Sequence, residues 1–229
     1  MPTSFSVPFH HHRRGVRVHV PAGAGPHPVL LLFDGQNVFD DATSYAGGWH
    51  ADAAVDKLPR TIARPIVVGL DNGGRRRMHE LWAGLDEFLD CALNHVVPIV
   101  RERWEVEPAW VVGGASMGGL AAFAAHLRHP GVFRAALCLS PSFWFTQHRI
   151  FEELDERGAP ARSQVYIDAG AKEGLPLRSH AARMAQVLAA RGYGPDALLW
   201  RYDRRGAHRE RDWARRLPKA LKWLFRRPR

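Results

Sequence analysis

Between Trp110 and Leu120 the chain reads Trp-Val-Val-Gly-Gly-Ala-Ser-Met-Gly-Gly-Leu, so that Gly114-Ala115-Ser116-Met117-Gly118 sets a serine between two glycines as G-x-S-x-G. The apolar run before it, Ala109 to Val112, has the length and composition of a buried strand, and the Ala-rich stretch after it, Leu120 to Arg128, favours helix. A serine forced into the sharp turn between strand and helix takes strained backbone angles and points its hydroxyl outward. The flanking glycines let neighbouring backbone come close enough to permit that turn. The bare pattern also fits an ordinary Gly/Ser loop. The strand–turn–helix context makes Ser116 a candidate nucleophile and places the N–H of Met117 to donate to a developing oxyanion.

The rest of the chain alternates strand and helix. Val16–Val20 alternates in polarity, while 29–33, 65–70, 135–139, 164–167 and 198–202 are short apolar runs of strand length. Helical character falls at 49–58, at 85–103, where Pro98 is expected to kink or divide the helix, and at 177–191, with Gly192 placed as a C-cap. This order predicts an α/β fold with a mostly parallel central sheet and helices on both faces. At 229 residues and 46% hydrophobic content, one domain over 1–229 is expected, with 1–15 an irregular N-terminal segment.

The net charge of +9 is concentrated at the end: from Arg211 onward there are eight Lys/Arg and one acid, Asp212. Trp213, Leu217, Leu221 and Leu224 recur there at helical spacing, with Arg211, Arg215, Lys222 and Arg226 falling largely between them. The tail reads as an amphipathic helix with a solvated basic face, not as a nucleic-acid motif, and no nucleic-acid or membrane partner is expected. Oligomeric state has no signature. Cys91 and Cys138 sit in apolar runs and read as small buried hydrophobes. The first residues lack a basic-then-apolar leader, and no apolar run approaches about 18 residues, so a soluble, cytoplasmic protein is expected. Three consecutive histidines, His10 to His12, cannot all face one ion in regular structure. Neither metal nor cofactor is expected.

In an open α/β sheet, chemistry collects at the carboxyl ends of the strands. A serine nucleophile needs a base, the base an orienting acid, in the chain order Ser, acid, His. Five histidines follow Ser116. His126 and His129 belong to the helix that starts at the elbow, His180 to a surface helix, and His148 precedes every plausible acid. His208, in a post-strand loop, remains as the base. Asp168 and Glu173 both follow the strand at 164–167, and spacing leaves the choice between them open. The second oxyanion donor is expected from the loop after Phe33, where Gly35 allows close approach and the N–H of Gln36 points to the site. Trp49, Phe143, Trp144 and Phe145 flank the proposed mouth as candidate pocket walls.

These residues together resemble the Putative esterase family of α/β-hydrolases, which includes enterochelin (ferric-siderophore) esterases and feruloyl esterases. The resemblance runs from about Val16 to Phe225. It rests on Leu32-Phe-Asp-Gly-Gln-Asn37, Val68-Gly-Leu-Asp-Asn72, Arg77-Met-His-Glu80, the Ser116 elbow, Ser140-Pro141-Ser142 with Trp144, Gly170-Ala-Lys-Glu173, and Gly206-Ala-His208 with Trp213. It implies a serine carboxylic-ester hydrolase acting on a small-molecule ester, of siderophore or aryl type, through an acyl-enzyme. Ser116 is then the nucleophile, His208 the base and Glu173, in the G-x-x-E/D loop, the acid. Some enterochelin-type members work as a Ser–His dyad with the acid displaced. Arg77 and Glu80 match a family pair with a structural or a substrate-binding role. Acyl transfer by the same residues and a catalytically silent binding scaffold are the competing readings.

Overall fold

The structure, a computed structural model, describes residues 2–161 and 163–227. Its strands are β1 (Thr3–Phe9), β2 (His12–His19), β3 (Val29–Phe33), β4 (Ile66–Leu70), β5 (Trp110–Ala115), β6 (Phe133–Leu139), β7 (Gln164–Gly170) and β8 (Leu198–Asp203). They form one sheet in the order β1-β2-β4-β3-β5-β6-β7-β8. From β4 to β8 neighbouring strands run parallel, and β1 and β2 pair antiparallel at one edge. The helices are α1 (Ala51–Asp56), α2 (Arg77–Glu80), α3 (Leu85–Cys91), α4 (Val97–Arg103), α5 (Met117–Arg128), α6 (Arg149–Arg157), α7 (Leu175–Ala190) and α8 (Glu210–Leu224).

The central strands are continuous apolar runs because both sheet faces are covered. Leu31, Phe33, Val112 and Cys138 pack with α3 to α7. Leu30, Leu32, Val111 and Leu137 pack with α1 and α8. Both cysteines are buried. The expected helix at 85–103 is one run, in which a π turn, Ala92–Val96, lies just before Pro98. The wide turn accommodates the proline ring and its missing N–H.

The N-terminal segment corrects the sequence expectation. Residues 3–9 are not irregular but pair with β2 in a hairpin whose tip is His10-His11, with His10 at φ 50°. Phe5, Val7 and Phe9 turn toward the core, and Pro8 is tolerated because its missing N–H falls on an edge strand. The histidine run therefore serves the turn. Among the described residues no group of three His, Cys, Asp or Glu gathers as a metal site, and no helix is long and apolar enough to cross a membrane.

The sheet also positions the site. After β3 the chain pairs β4 on one side, then crosses back to pair β5 on the other. That reversal opens a crevice at the carboxyl ends of β3, β4 and β5, where Asp34, Asp71 and Ser116 begin their loops.

Candidate active site

Ser116 lies between the last residue of β5 and the first of α5, with φ 57° and ψ −121°. Such angles are costly for any residue with a side chain and persist only where the surroundings hold them. Here the Ser116 N–H donates to the Leu139 carbonyl (3.0 Å), and its own carbonyl accepts from Leu120 (3.1 Å) and Ser142 (3.0 Å). A Cβ on Gly114 would stand 2.5 Å from the Gly118 backbone, which is the physical reason for a glycine at 114, and a Cβ on Gly118 would come within 3.1 Å of Asp34 Oδ2.

His208 occupies the loop between β8 and α8. Gly206 just before it presses against Gly170 at the end of β7, and the Lys172 N–H donates to the Gly206 carbonyl (2.9 Å). This contact carries His208 across the sheet ends until its Nε2 is 2.9 Å from Ser116 Oγ. The Trp213 ring meets the imidazole edge-on at 5.0 Å. Ser142 Oγ stands 3.3 Å from Ser116 Oγ. The other downstream histidines have different surroundings: His126 is buried against the Phe133 carbonyl, and His148 and His180 pack around Phe151.

The two candidate acids separate clearly. Strand β7 continues through Asp168, so this residue is not in a loop. It is fully buried, accepting from the Ser140 N–H (2.9 Å) and the Tyr166 hydroxyl (3.2 Å). Burial pushes its carboxyl up to about 6, against the opposing pull of Arg216. Glu173, in the loop beyond, accepts at Oε1 from the Ser140 hydroxyl (2.6 Å) and from Arg216 (3.2 Å). Its Oε2 is buried without a partner. No hydrogen bond among the described residues joins Glu173 to His208, but the carboxylate is close enough to raise the imidazole's proton affinity.

The loop after β3 is a short 3₁₀ turn, Gly35–Asn37, entered through Asp34 in the left-handed region at φ 61°. Its early N–H groups, Gln36 among them, have no acceptor within the turn, and neither has Met117 at the start of α5. The turn is anchored from both sides. The Arg77 guanidinium grips Asp34 with two bonds (2.8 and 2.7 Å), and Asn72 donates to Asp34 (2.6 Å) and, through its backbone, to the Gln36 side chain (3.2 Å). Arg77 and Glu80 do not pair with each other: Glu80 instead holds Arg14 and the Gly73 N–H.

Partial loss of solvent around the imidazole, whose outer edge stays exposed, holds the His208 proton affinity below that of an ordinary imidazole. Glu173 pulls it up, and Arg216 and Arg77 push it down again. A base must be neutral to accept a proton. The acid limb of kcat/KM is therefore expected to have its midpoint below the ordinary value of 6.5. A pH profile with a nitrophenyl ester checks this, and a midpoint at or above 6.5 would contradict it.

A family model described as Putative esterase matches residues 9–224. The chain belongs to this esterase family. The iron(III) salmochelin esterase of Escherichia coli O6:H1 (strain CFT073) is 29% identical over 217 residues, covering 82% of this chain and 52% of that protein. Among solved structures, an IroE-like serine hydrolase from Shewanella oneidensis is similar at TM-score 0.77 and 19% identity, over 98% of this chain and 80% of the other. The enterobactin esterase of Shigella flexneri, crystallised in the presence of enterobactin, gives TM-score 0.78 and 21% identity over 96% of this chain and 57% of that one. The chain thus spans about half the length of the salmochelin and enterobactin esterases, and the structural likenesses establish an α/β-hydrolase-type fold.

Around the candidate site, the aromatic residues divide. Trp144 and Phe145 expose 45% and 38% of their surface, two and three residues beyond Ser142. Trp49 is buried and meets Trp213 edge-on at 6.2 Å. Phe143 has no exposed surface and packs on Phe123 at 5.3 Å, so it belongs to the core and offers nothing to an open pocket. A cavity of about 1570 Å³ lies at the amino ends of the strands beside Pro28, Arg134 and Gln164, and no proposed site residue lines it. Two residues of the site escaped the sequence reading. Ser140 and Arg216 meet beneath His208. Arg216 was counted with the basic tail, yet it is four residues before Ala220 and three after Trp213, on the helix's apolar stripe. A cation at such a position was the available signal.

Proposed function

We propose that this chain is a serine carboxylic-ester hydrolase working through an acyl-enzyme. The observation that carries the reading is the 2.9 Å approach of His208 Nε2 to Ser116 Oγ, with the serine held on a positive-φ elbow at a helix N-terminus. Ser116 donates its hydroxyl proton to His208 Nε2 as Oγ attacks the ester carbonyl. The oxyanion is met by the N–H groups of Met117 and Gln36, and the positive end of the α5 dipole lies on the same side. His208 then gives the proton to the departing alkoxide, leaving an acyl group on Ser116 Oγ. Water, deprotonated by the same imidazole, attacks that acyl carbon and releases the acid. Glu173 supports the charged imidazole through space.

The substrate class favoured is a small siderophore-type or aryl ester. Its support is the substrate named for the salmochelin and enterobactin esterases, together with the exposed Trp144 and Phe145 beyond Ser142. The test is covalent. A fluorophosphonate should add one phosphonyl group to the protein, and peptide mapping should place it on Ser116. The His208→Ala variant should label far more slowly, since no base then activates the hydroxyl. A label on another residue, or none while nitrophenyl and siderophore esters are turned over, would overturn the assignment.

A further inference from the structure

We propose that Arg216 is a positioning residue for His208: from α8 it clamps the Glu173 carboxylate against Ser140 and limits how much of that negative charge reaches the imidazole. The inference rests on the reading of His208 as the base.

Arg216 is only 4% exposed, on the apolar stripe of a helix packed against the sheet. A guanidinium there is tolerable only if its charge is met by partners. It is met twice. Its NH2 group reaches Glu173 Oε1 (3.2 Å) and Ser140 Oγ (2.7 Å), and its NH1 lies 3.0 Å from Asp168 Oδ1, an ion-pair contact without hydrogen-bond alignment. One cation thus stands between two buried carboxylates.

Ser140 joins the cluster to the base. Fully buried and at φ 45°, it donates its hydroxyl to Glu173 and accepts from Arg216 and from Trp213 Nε1 (3.0 Å). Trp213 is the ring that braces His208. Glu173 Oε1 is therefore committed to Ser140 and Arg216, and the carboxylate acts on the base by its charge. The charged groups that bear on His208 are Glu173 from the loop after β7, Arg216 from α8 and Arg77 from α2. On the other side of the Asp168–Arg216 pair, Arg201, Asp203, Arg204, Arg215 and Lys219 line a small cavity of about 160 Å³. A purely structural Arg216 would affect stability alone. An Arg216 that trims the Glu173 charge also affects the proton affinity of His208.

The experiment reads that affinity directly. The His208 C2 proton, assigned by its loss in His208→Asn, is titrated by NMR in the full chain. Arg216→Gln should raise the midpoint by about half a pH unit or more, since a cation beside the imidazole is gone. Arg216→Lys should return it most of the way. Arg216→Gln leaves two buried carboxylates without a cation and can fail to fold. The double variant Asp168→Asn/Arg216→Gln removes the ion pair as a pair, and the same upward shift is expected in it. An unmoved or lowered midpoint in whichever of these variants folds would overturn the proposal. The titration needs no turnover, so its outcome is separable from the hydrolase reading, which stands or falls on whether Ser116→Ala abolishes ester cleavage.

Discussion

Replacing Ser116 by alanine is expected to lower kcat/KM for 4-nitrophenyl acetate by about 10⁴-fold or more, which is about 5 kcal/mol of transition-state stabilisation. On the proposed mechanism the loss is large because Ser116 Oγ is the atom that forms the covalent bond to the acyl group. Without it no acyl-enzyme forms, and His208 has no hydroxyl to deprotonate. Some rate above water should survive, since the proposed oxyanion donors, the Met117 and Gln36 N–H groups, would still polarise a bound carbonyl. The fold should survive as well. The strain at φ 57° belongs to any residue with a Cβ, so alanine meets no new cost, and the bonds that hold the turn are backbone bonds to Leu139, Leu120 and Ser142. Steady-state kinetics beside a thermal melt make the comparison. A folded Ser116→Ala protein that keeps its activity would place the nucleophile elsewhere.

The elbow was legible because three independent local features coincide there: a buried strand, an Ala-rich helix and two glycines, Gly114 pressed against backbone and Gly118 facing the Asp34 carboxylate. The carboxyl ends of the strands likewise fall where apolar runs give way to Asp, Gly and Ser. What the one-dimensional pattern does not carry is the pairing of edges and the direction of single side chains. Strand β1 has the alternation Phe5, Val7, Phe9, but three histidines and Pro8 at its end masked it, and only pairing with Arg13 to Val18 reveals the hairpin. Asp168 looked like a loop residue because an acid seldom occupies a buried parallel strand. It does so here because Arg216, Tyr166 and the Ser140 N–H stand ready to receive it. Tyr166 is two residues back on the same strand, but Ser140 and Arg216 come from two other segments, so spacing along the chain cannot find them. Arg216 itself was readable in principle: stepping from Trp213 by helical periods lands on 216, 217, 220, 221 and 224, and every one of these is buried.

The second large effect falls on the base, and its size relative to the acid discriminates two ways of running this site. His208→Ala is expected to cost about 10⁴-fold in kcat, since among the described residues no other base stands beside Ser116 Oγ, and Ser142, the other near hydroxyl, has no basic hydrogen-bond partner there to relay through. Glu173→Gln is expected to cost far less, on the order of 10- to 100-fold. In a full triad the acid fixes the imidazole tautomer by a direct hydrogen bond, and its loss approaches that of the base. Here Glu173 spends Oε1 on Ser140 and Arg216 and makes no bond to His208, so the imidazole is oriented by the Trp213 ring and the Gly206–Gly170 contact instead. Glutamine keeps the shape and the acceptor for the Ser140 hydroxyl while removing the charge. What it takes away is the through-space stabilisation of the imidazolium, and the acid limb of the pH profile should move to still lower pH, because the Glu173 charge that raises His208 is gone. Kinetics of both variants across pH decide the matter. A Glu173→Gln loss equal to that of His208→Ala would show that Oε2 swings onto Nδ1 when substrate is bound and that the site runs as a complete triad.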